Sequence, residues 1–312
     1  MNYNDKIYVS GHTGLVGSAI VRKLIDEGYT NIITKTRKQL DLTDQFSVER
    51  FFDIERPDYV VLAAAKVGGI NYNKLYPADF ITENLQIQTN VIKSSYDFNV
   101  KKLLFLGSAC IYPKITEQPI KEEYLMTGPL EPTNDGYALA KIAGLTMCQK
   151  YKRQYGFNCI SLMPTNLYGI GDRFNIEHGH VIPGLINKFV TAKLNNDPSI
   201  TCWGDGSPTR EFLFADDLAD ACVYLMNNYD SEEIINVGID NEITMKELSI
   251  KLKELTGYEG EIIWDTDKPN GTPRRKVCNQ KLYNLGWRPK YELEEGLKIT
   301  IDWFKANREI CK

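Results

Sequence analysis

Along the first half of the chain, short apolar and β-branched runs alternate with stretches whose apolar residues recur every three or four positions. Residues 7–9, 32–34, 59–63, 103–106 and 159–163 have the length and character of buried strands. Residues 15–27, 77–99 and 136–155 carry the helical period. In the first of these, Val16, Ile20 and Leu24 fall on one face, and Gly28 supplies a left-handed stop. Strands alternating with helices predict βαβ units, and therefore an α/β fold built on a doubly wound parallel sheet.

Beyond about residue 165 the pattern loosens and Gly, Pro and Asn become frequent, as suits loops that close over a ligand. One helix is still well announced. Thr244 and Glu247 form a capping box, Leu248, Leu252 and Leu255 share a face, and Gly257 follows. The expected division is a Rossmann-type domain over residues 1–165, rejoined by about 211–241, and a smaller α/β substrate-binding domain over 166–210 and 242–312.

Composition narrows the function. The chain has 312 residues, 43% of them hydrophobic and 25% charged, and a net charge of −4. That balance argues against a nucleic-acid binder, which needs a concentrated basic surface. The seven cysteines, Cys110, Cys148, Cys159, Cys202, Cys222, Cys278 and Cys311, are odd in number and without a C-x-x-C pair. They read as reduced thiols in a cytoplasmic protein. No leader and no long apolar run suggest export or a membrane. His178 and His180 stand close together, but no further ligand pattern accompanies them, so no metal is expected.

The turn after the first strand is Gly11, His12, Thr13, Gly14, Leu15, Val16, Gly17. Glycines at this spacing between a strand and a helix let the backbone approach a pyrophosphate, which then meets the exposed N–H groups of the helix. The second strand leads into Lys35, Thr36, Arg37 and Lys38, with no acid to grip a ribose 2′-hydroxyl. Arg37 is the expected 2′-phosphate ligand, and the cofactor is therefore NADP(H). Asp41 and Leu42 either flank the adenine or form a turn.

Tyr137 and Lys141 stand at i and i+4 on one helical face. An ammonium beside a phenol lowers its pKa, and such a tyrosine exchanges protons with a carbonyl oxygen. Ser108 can hold the same oxygen. If the chain stays extended past Leu106, Cys110 faces the same space as Ser108. Whether that thiol serves chemistry or only packs behind the strand is not decided by the residues themselves.

The stretches AAAKVGGI, PADF, FLGSACIYP, LEPTNDGYALAKIAG, MPTNLYG, HVIPGLI and REFL resemble the extended short-chain dehydrogenase/reductase family, and within it the fucose-synthase branch. The resemblance runs over nearly the whole chain. It implies that a GDP-4-keto-6-deoxy-mannose is inverted at C3 and C5 and reduced at C4 by NADPH to give GDP-L-fucose. Cys110 and His180 would then be the epimerising pair, and Ser108, Tyr137 and Lys141 the reducing set. The family also implies cofactor contacts at Ala64, Leu106, Gly107, Lys141 (on the nicotinamide ribose), Pro164, Thr165, Asn166, Leu167 and His180. Substrate contacts would fall to Ser108, Asn166, Lys188, Trp203, Arg210 and Arg274. Thr13 and the region of Cys278 depart from the branch, which often carries an arginine and an aspartate there. The alternative is a C4 reductase alone, acting on a related GDP-4-keto sugar such as a 6-deoxy-heptose. A homodimer is expected, with Ile81, Leu85, Ile92, Leu139, Ile142 and Leu145 on helices that pair in that family.

Overall fold

The computed structural model describes residues 1–175, 179–268, 270–309 and 311, the side chain of Ile70 excepted. The expected strands form β1 (Ile7–Ser10), β2 (Ile32–Ile33), β3 (Tyr59–Leu62), β4 (Lys102–Leu106) and β5 (Cys159–Pro164). Together with Ile235–Val237 they make a six-stranded sheet in the order Ile235–Val237, β5, β4, β3, β1, β2. Every pairing in it is parallel.

The helices over this sheet are α1 (Leu15–Asp26), α2 (Gln45–Glu55), α3 (Ile70–Leu75), α4 (Pro77–Asp97) and α5 (Asp135–Tyr155). Strand alternation divides the core. Val9, Val61, Leu104 and Leu162 belong to the layer with α1 and the helix Ala215–Asn228. Tyr8, Val60, Leu103, Phe105 and Cys159 belong to the layer with α2, α4 and α5. The doubly wound sheet is thus as the pattern predicts. Two helices are unannounced: the short α3, and α2, which turns Val48, Phe51 and Phe52 inward but leaves Phe46 and Ile54 exposed, and that blurs its period.

A third core gathers Ile186, Phe189, Leu248, Leu252, Leu297 and Phe304 from the helices Val181–Asn195, Met245–Thr256 and Leu293–Ala306. The capping box at Thr244 and Glu247 is formed, with Gly257 left-handed at φ 71°. Such a cap stabilises a helix by about 1 kcal/mol. Within the later stretch, Val277, Leu282 and Trp287 pack into the cores beside the large sheet. No helix among the described residues is long and apolar enough to cross a membrane.

Candidate active site

The carboxyl ends of β1, β3, β4 and β5 converge on one edge of the sheet, where parallel α/β folds bind ligands. At the end of β1 the glycine loop folds for close approach. Gly11 is left-handed at φ 74°, and a Cβ there would lie 2.8 Å from the Ala64 backbone. A Cβ on Gly17 would drive into the Gly11 carbonyl oxygen. Gly14 caps α1 with its N–H donating to Gly11 O at 3.0 Å. The result is a bare backbone cradle at a helix N-terminus. His12 Nδ1 is buried beside it with no partner among the described residues. These features fit a dinucleotide pyrophosphate.

Arg37 stands exposed after β2, with its guanidinium 3.3 Å from Glu83 on α4 and 3.9 Å from Asp41. Asp41 accepts from both the N–H and the hydroxyl of Thr43, so it shapes a turn, and these bonds hold its carboxyl below the usual range. Leu42 is buried, and its carbonyl accepts from Asn90 at 2.9 Å.

The tyrosine and lysine arise from close helix–sheet packing. At Gly144 a Cβ would meet the Phe105 ring at 2.7 Å, so α5 lies tight on β4. Lys141 is therefore buried, and its Nζ donates to Leu106 O at 2.7 Å. Burial lowers its pKa to about 8. Its Nζ is 5.8 Å from the centre of the Tyr137 ring. Burial holds the Tyr137 phenol above its ordinary value, opposed by a hydrogen bond with the Ser108 side chain. The lowering expected from the lysine does not set the direction here: burial raises the phenol, and the Lys141 ammonium donates to the Leu106 carbonyl.

Cys110 reaches this cluster by a route that differs from the one expected. The strand ends at Leu106, and Ala109–Ile111 is a short 3-10 turn, so alternation along a strand does not place the thiol. Ser108 caps the turn by accepting the Cys110 N–H at 3.2 Å. The turn nevertheless brings Cys110 close enough to Tyr137 to act on its charge. Gly107 stands just before it, where a Cβ would press on the end of the Met163 side chain.

Thr165 and Asn166 follow β5. Thr165 N donates to Val237 O at 3.0 Å, and Asn166 Nδ2 to Glu211 O at 3.1 Å. Pro164 ends the strand, and Leu167 lies in a short ladder with Leu213. His180 caps the helix Val181–Asn195 with its side chain 48% exposed. Its Nδ1 lies 3.7 Å from Asp172, whose carboxylate is buried and leaves Oδ2 without a partner among the described residues. His178 lies outside the described residues. Among those described, no cluster of three or more His, Cys, Asp or Glu could hold a metal ion.

The remaining candidates lie on the smaller lobe. Trp203 is 58% exposed, so it is not core, and Lys268 Nζ stands 5.9 Å from its ring. Lys188 Nζ donates to Thr201 O at 2.6 Å. Arg210 is half-buried, and burial and the neighbouring Arg275 both lower its pKa. Arg274 forks onto Glu242 at 2.8 and 2.5 Å.

Three residues near the site are given no role by motif reading, although one of them, Glu211, lies within the REFL stretch. They are Asp172 behind His180, Arg275 against the Cys110 turn, and Glu211. Glu211 is fully buried and accepts from Ile239 N, Val277 N and Asn279 Nδ2 at 2.6, 3.0 and 3.2 Å. An acid inside the apolar run after Arg210 is the one available hint in the sequence.

Fold and site together define a dinucleotide-dependent enzyme of the α/β, doubly wound class. The chain belongs to the NAD dependent epimerase/dehydratase family, whose model matches residues 7–238. It is 57% identical to GDP-L-fucose synthase 1 of Arabidopsis thaliana over 97% of this chain and 94% of that protein. It is 45% identical to the GDP-L-fucose synthase of Escherichia coli K12 over 98% of both. Among solved structures, the GDP-mannoheptose C4 reductase of Campylobacter jejuni with NADP bound superposes with a TM-score of 0.90. That protein is 40% identical, and the match covers 98% of this chain and 99% of that one.

Proposed function

We propose that the protein converts GDP-4-keto-6-deoxy-mannose to GDP-L-fucose by inversion at C3 and C5 and reduction at C4. The observation that carries this reading is the meeting of Ser108, Cys110 and Tyr137 over a buried Lys141. The identity to two GDP-L-fucose synthases over nearly the full chain supports it.

A C4 ketone acidifies the protons on C3 and C5. Cys110 removes such a proton, the enolate oxygen rests on the hydroxyls of Ser108 and Tyr137, and His180 returns a proton to the opposite face. After inversion Tyr137 protonates the C4 oxygen, and Lys141 replenishes that proton. Bound NADPH supplies the hydride. The cradle of residues 11–17, Ala64, Leu106, Gly107 and residues 164–167 would hold it, with Arg37 on the 2′-phosphate. Trp203 stacks the guanine, and Lys188, Arg210, Arg274 and Asn166 serve the diphosphate and sugars.

The cofactor lobe is residues 1–165 with about 211–241, and the remainder carries the sugar nucleotide. The enzyme works in the cytoplasm as a homodimer, and its free thiols suit a reducing compartment. Ile92 and Leu145 are buried in the chain's own core, so the dimer seam rests on exposed Leu139 with Ile81, Leu85 and Ile142.

The test is incubation with GDP-4-keto-6-deoxy-mannose and NADPH in D₂O, with the product read by NMR. GDP-L-fucose carrying deuterium at C3 and C5 is the expected result. A C4-reduced product with neither inversion nor label would refute it in favour of a reductase alone, the activity named for the Campylobacter neighbour.

A further inference from the structure

The tandem Arg274 and Arg275 form a two-residue strand that pairs in parallel with Thr209–Arg210. Neighbours on a strand point to opposite sides, and the two arginines part accordingly. Arg274 turns outward to Glu242, whereas Arg275 turns inward. Its Nη2 donates to Ala109 O at 2.7 Å and to Tyr112 O at 3.2 Å. These are the carbonyls on either side of Cys110. The same Ala109 carbonyl accepts the Tyr112 N–H that closes the turn.

Arg275 is itself held firmly. The adjoining backbone is laced to residues 118–120: Ile120 N donates to Lys276 O and Cys278 N to Ile120 O, both at 2.8 Å, and Lys276 N donates to Gln118 Oε1 at 2.9 Å. In register beside it stands Arg210. Two guanidiniums side by side repel, and the carbonyl dipoles at Ala109 and Tyr112 offset this for Arg275. One small ladder therefore carries both Arg210, a candidate substrate ligand, and the clamp around the candidate thiol.

We propose that Arg275 is a positioning residue for proton transfer at C3 and C5. It sets the reach of Cys110 relative to the lobe that grips the sugar nucleotide. Reduction at C4 depends on it far less. Ser108 caps the same turn, but Tyr137 and Lys141 lie on α5, where Lys141 is anchored by the Leu106 carbonyl, so the proton donor for reduction keeps its place. The inference rests on the reading of Cys110 given above. A lysine at this position keeps the charge but presents a single ammonium in place of a planar fork, so it restores the clamp only in part.

The experiment compares wild type, Arg275→Met, Arg275→Lys and Cys110→Ser. Each is incubated with GDP-4-keto-6-deoxy-mannose and NADP⁺ in D₂O, where exchange at C3 and C5 proceeds without reduction, and then with NADPH, where products are counted. Loss of about an ångström of registry costs on the order of 100-fold. Arg275→Met is therefore expected to lose exchange on that scale and to yield C4-reduced product with C3 and C5 unchanged, with NADPH affinity retained. Arg275→Lys is expected to fall between it and wild type.

Exchange in Arg275→Met at the wild-type rate overturns the proposal. So does a parallel loss of exchange, reduction and thermal stability in both Arg275 variants, which marks a merely structural residue. If wild type exchanges at neither carbon, or Cys110→Ser exchanges undiminished, the reading of the site fails and the role of Arg275 with it. If Cys110→Ser loses exchange while Arg275→Met keeps it, only the role of Arg275 is lost.

Discussion

Glu211 offers a test of the forces at the junction of the two lobes. Its carboxylate is fully buried, and burial raises its pKa from 4.5 to about 7 against the pull of four donors from Val277, Asn279, Ile239 and Thr165. The folded state therefore holds a proton that the unfolded state has released. Stability from this group is complete below the unfolded value of 4.5 and is lost as the pH rises through the folded value of about 7. With those two values the loss between about pH 5.5 and about pH 8 is about 2 kcal/mol.

Glu211→Gln cannot titrate, so it removes this dependence. It also turns an NH₂ toward a backbone N–H, which costs about 3 kcal/mol. Urea unfolding followed by circular dichroism at the two pH values should show the gap to wild type shrinking from about 3 to about 1 kcal/mol. Other titrating groups cancel in the difference. A gap that stays constant to within about 0.5 kcal/mol would mean that the four donors keep Glu211 ionised throughout, and the balance argued here would be wrong.

Three further outcomes follow from the geometry. Gly17→Ala places a methyl on the Gly11 carbonyl, whereas a Cβ on Gly14 lies 3.4 Å from it. NADPH titration by fluorescence should show at least about tenfold weaker binding for Gly17→Ala, which displaces the Gly11 carbonyl, and weaker binding for Gly14→Ala, which lifts the pyrophosphate off the backbone; unchanged binding in both would count against the cradle. Arg37→Ala should cut the preference for NADPH over NADH by about tenfold or more in kcat/KM, as fits loss of one charge-assisted phosphate contact. An unchanged ratio would move the 2′-phosphate elsewhere. Lys141→Met should keep the fold but lower kcat by about 100-fold or more, since the proton supply to Tyr137 is gone, and full activity would exclude Lys141 from the chemistry.

Much of the scaffold is legible in the residue pattern because strand and helix periods are local. Five of the six strands of the sheet, α1, α4, α5 and the capped helix Met245–Thr256 follow from spacing within one segment, whereas the strand Ile235–Val237 does not. The glycine loop is legible for the same reason: a strand, a turn without side chains and a helix are contiguous. The pairing of Tyr137 with Lys141 is likewise a property of one helix.

What tertiary structure alone decides is every relation between segments far apart in sequence. Cys110 was expected to owe its place to strand alternation, yet it sits on a 3-10 turn gripped by Arg275, a residue 165 positions later. Lys141 turns to Leu106 rather than to the phenol because Gly144 brings α5 down on β4. Glu211 is buried among donors from Val277, Asn279 and Ile239, none of which its own segment specifies. Periodicity reports which face of an element is apolar. It cannot report which distant backbone carbonyl or N–H that face will meet, and in this protein those meetings set the charges and positions of the site.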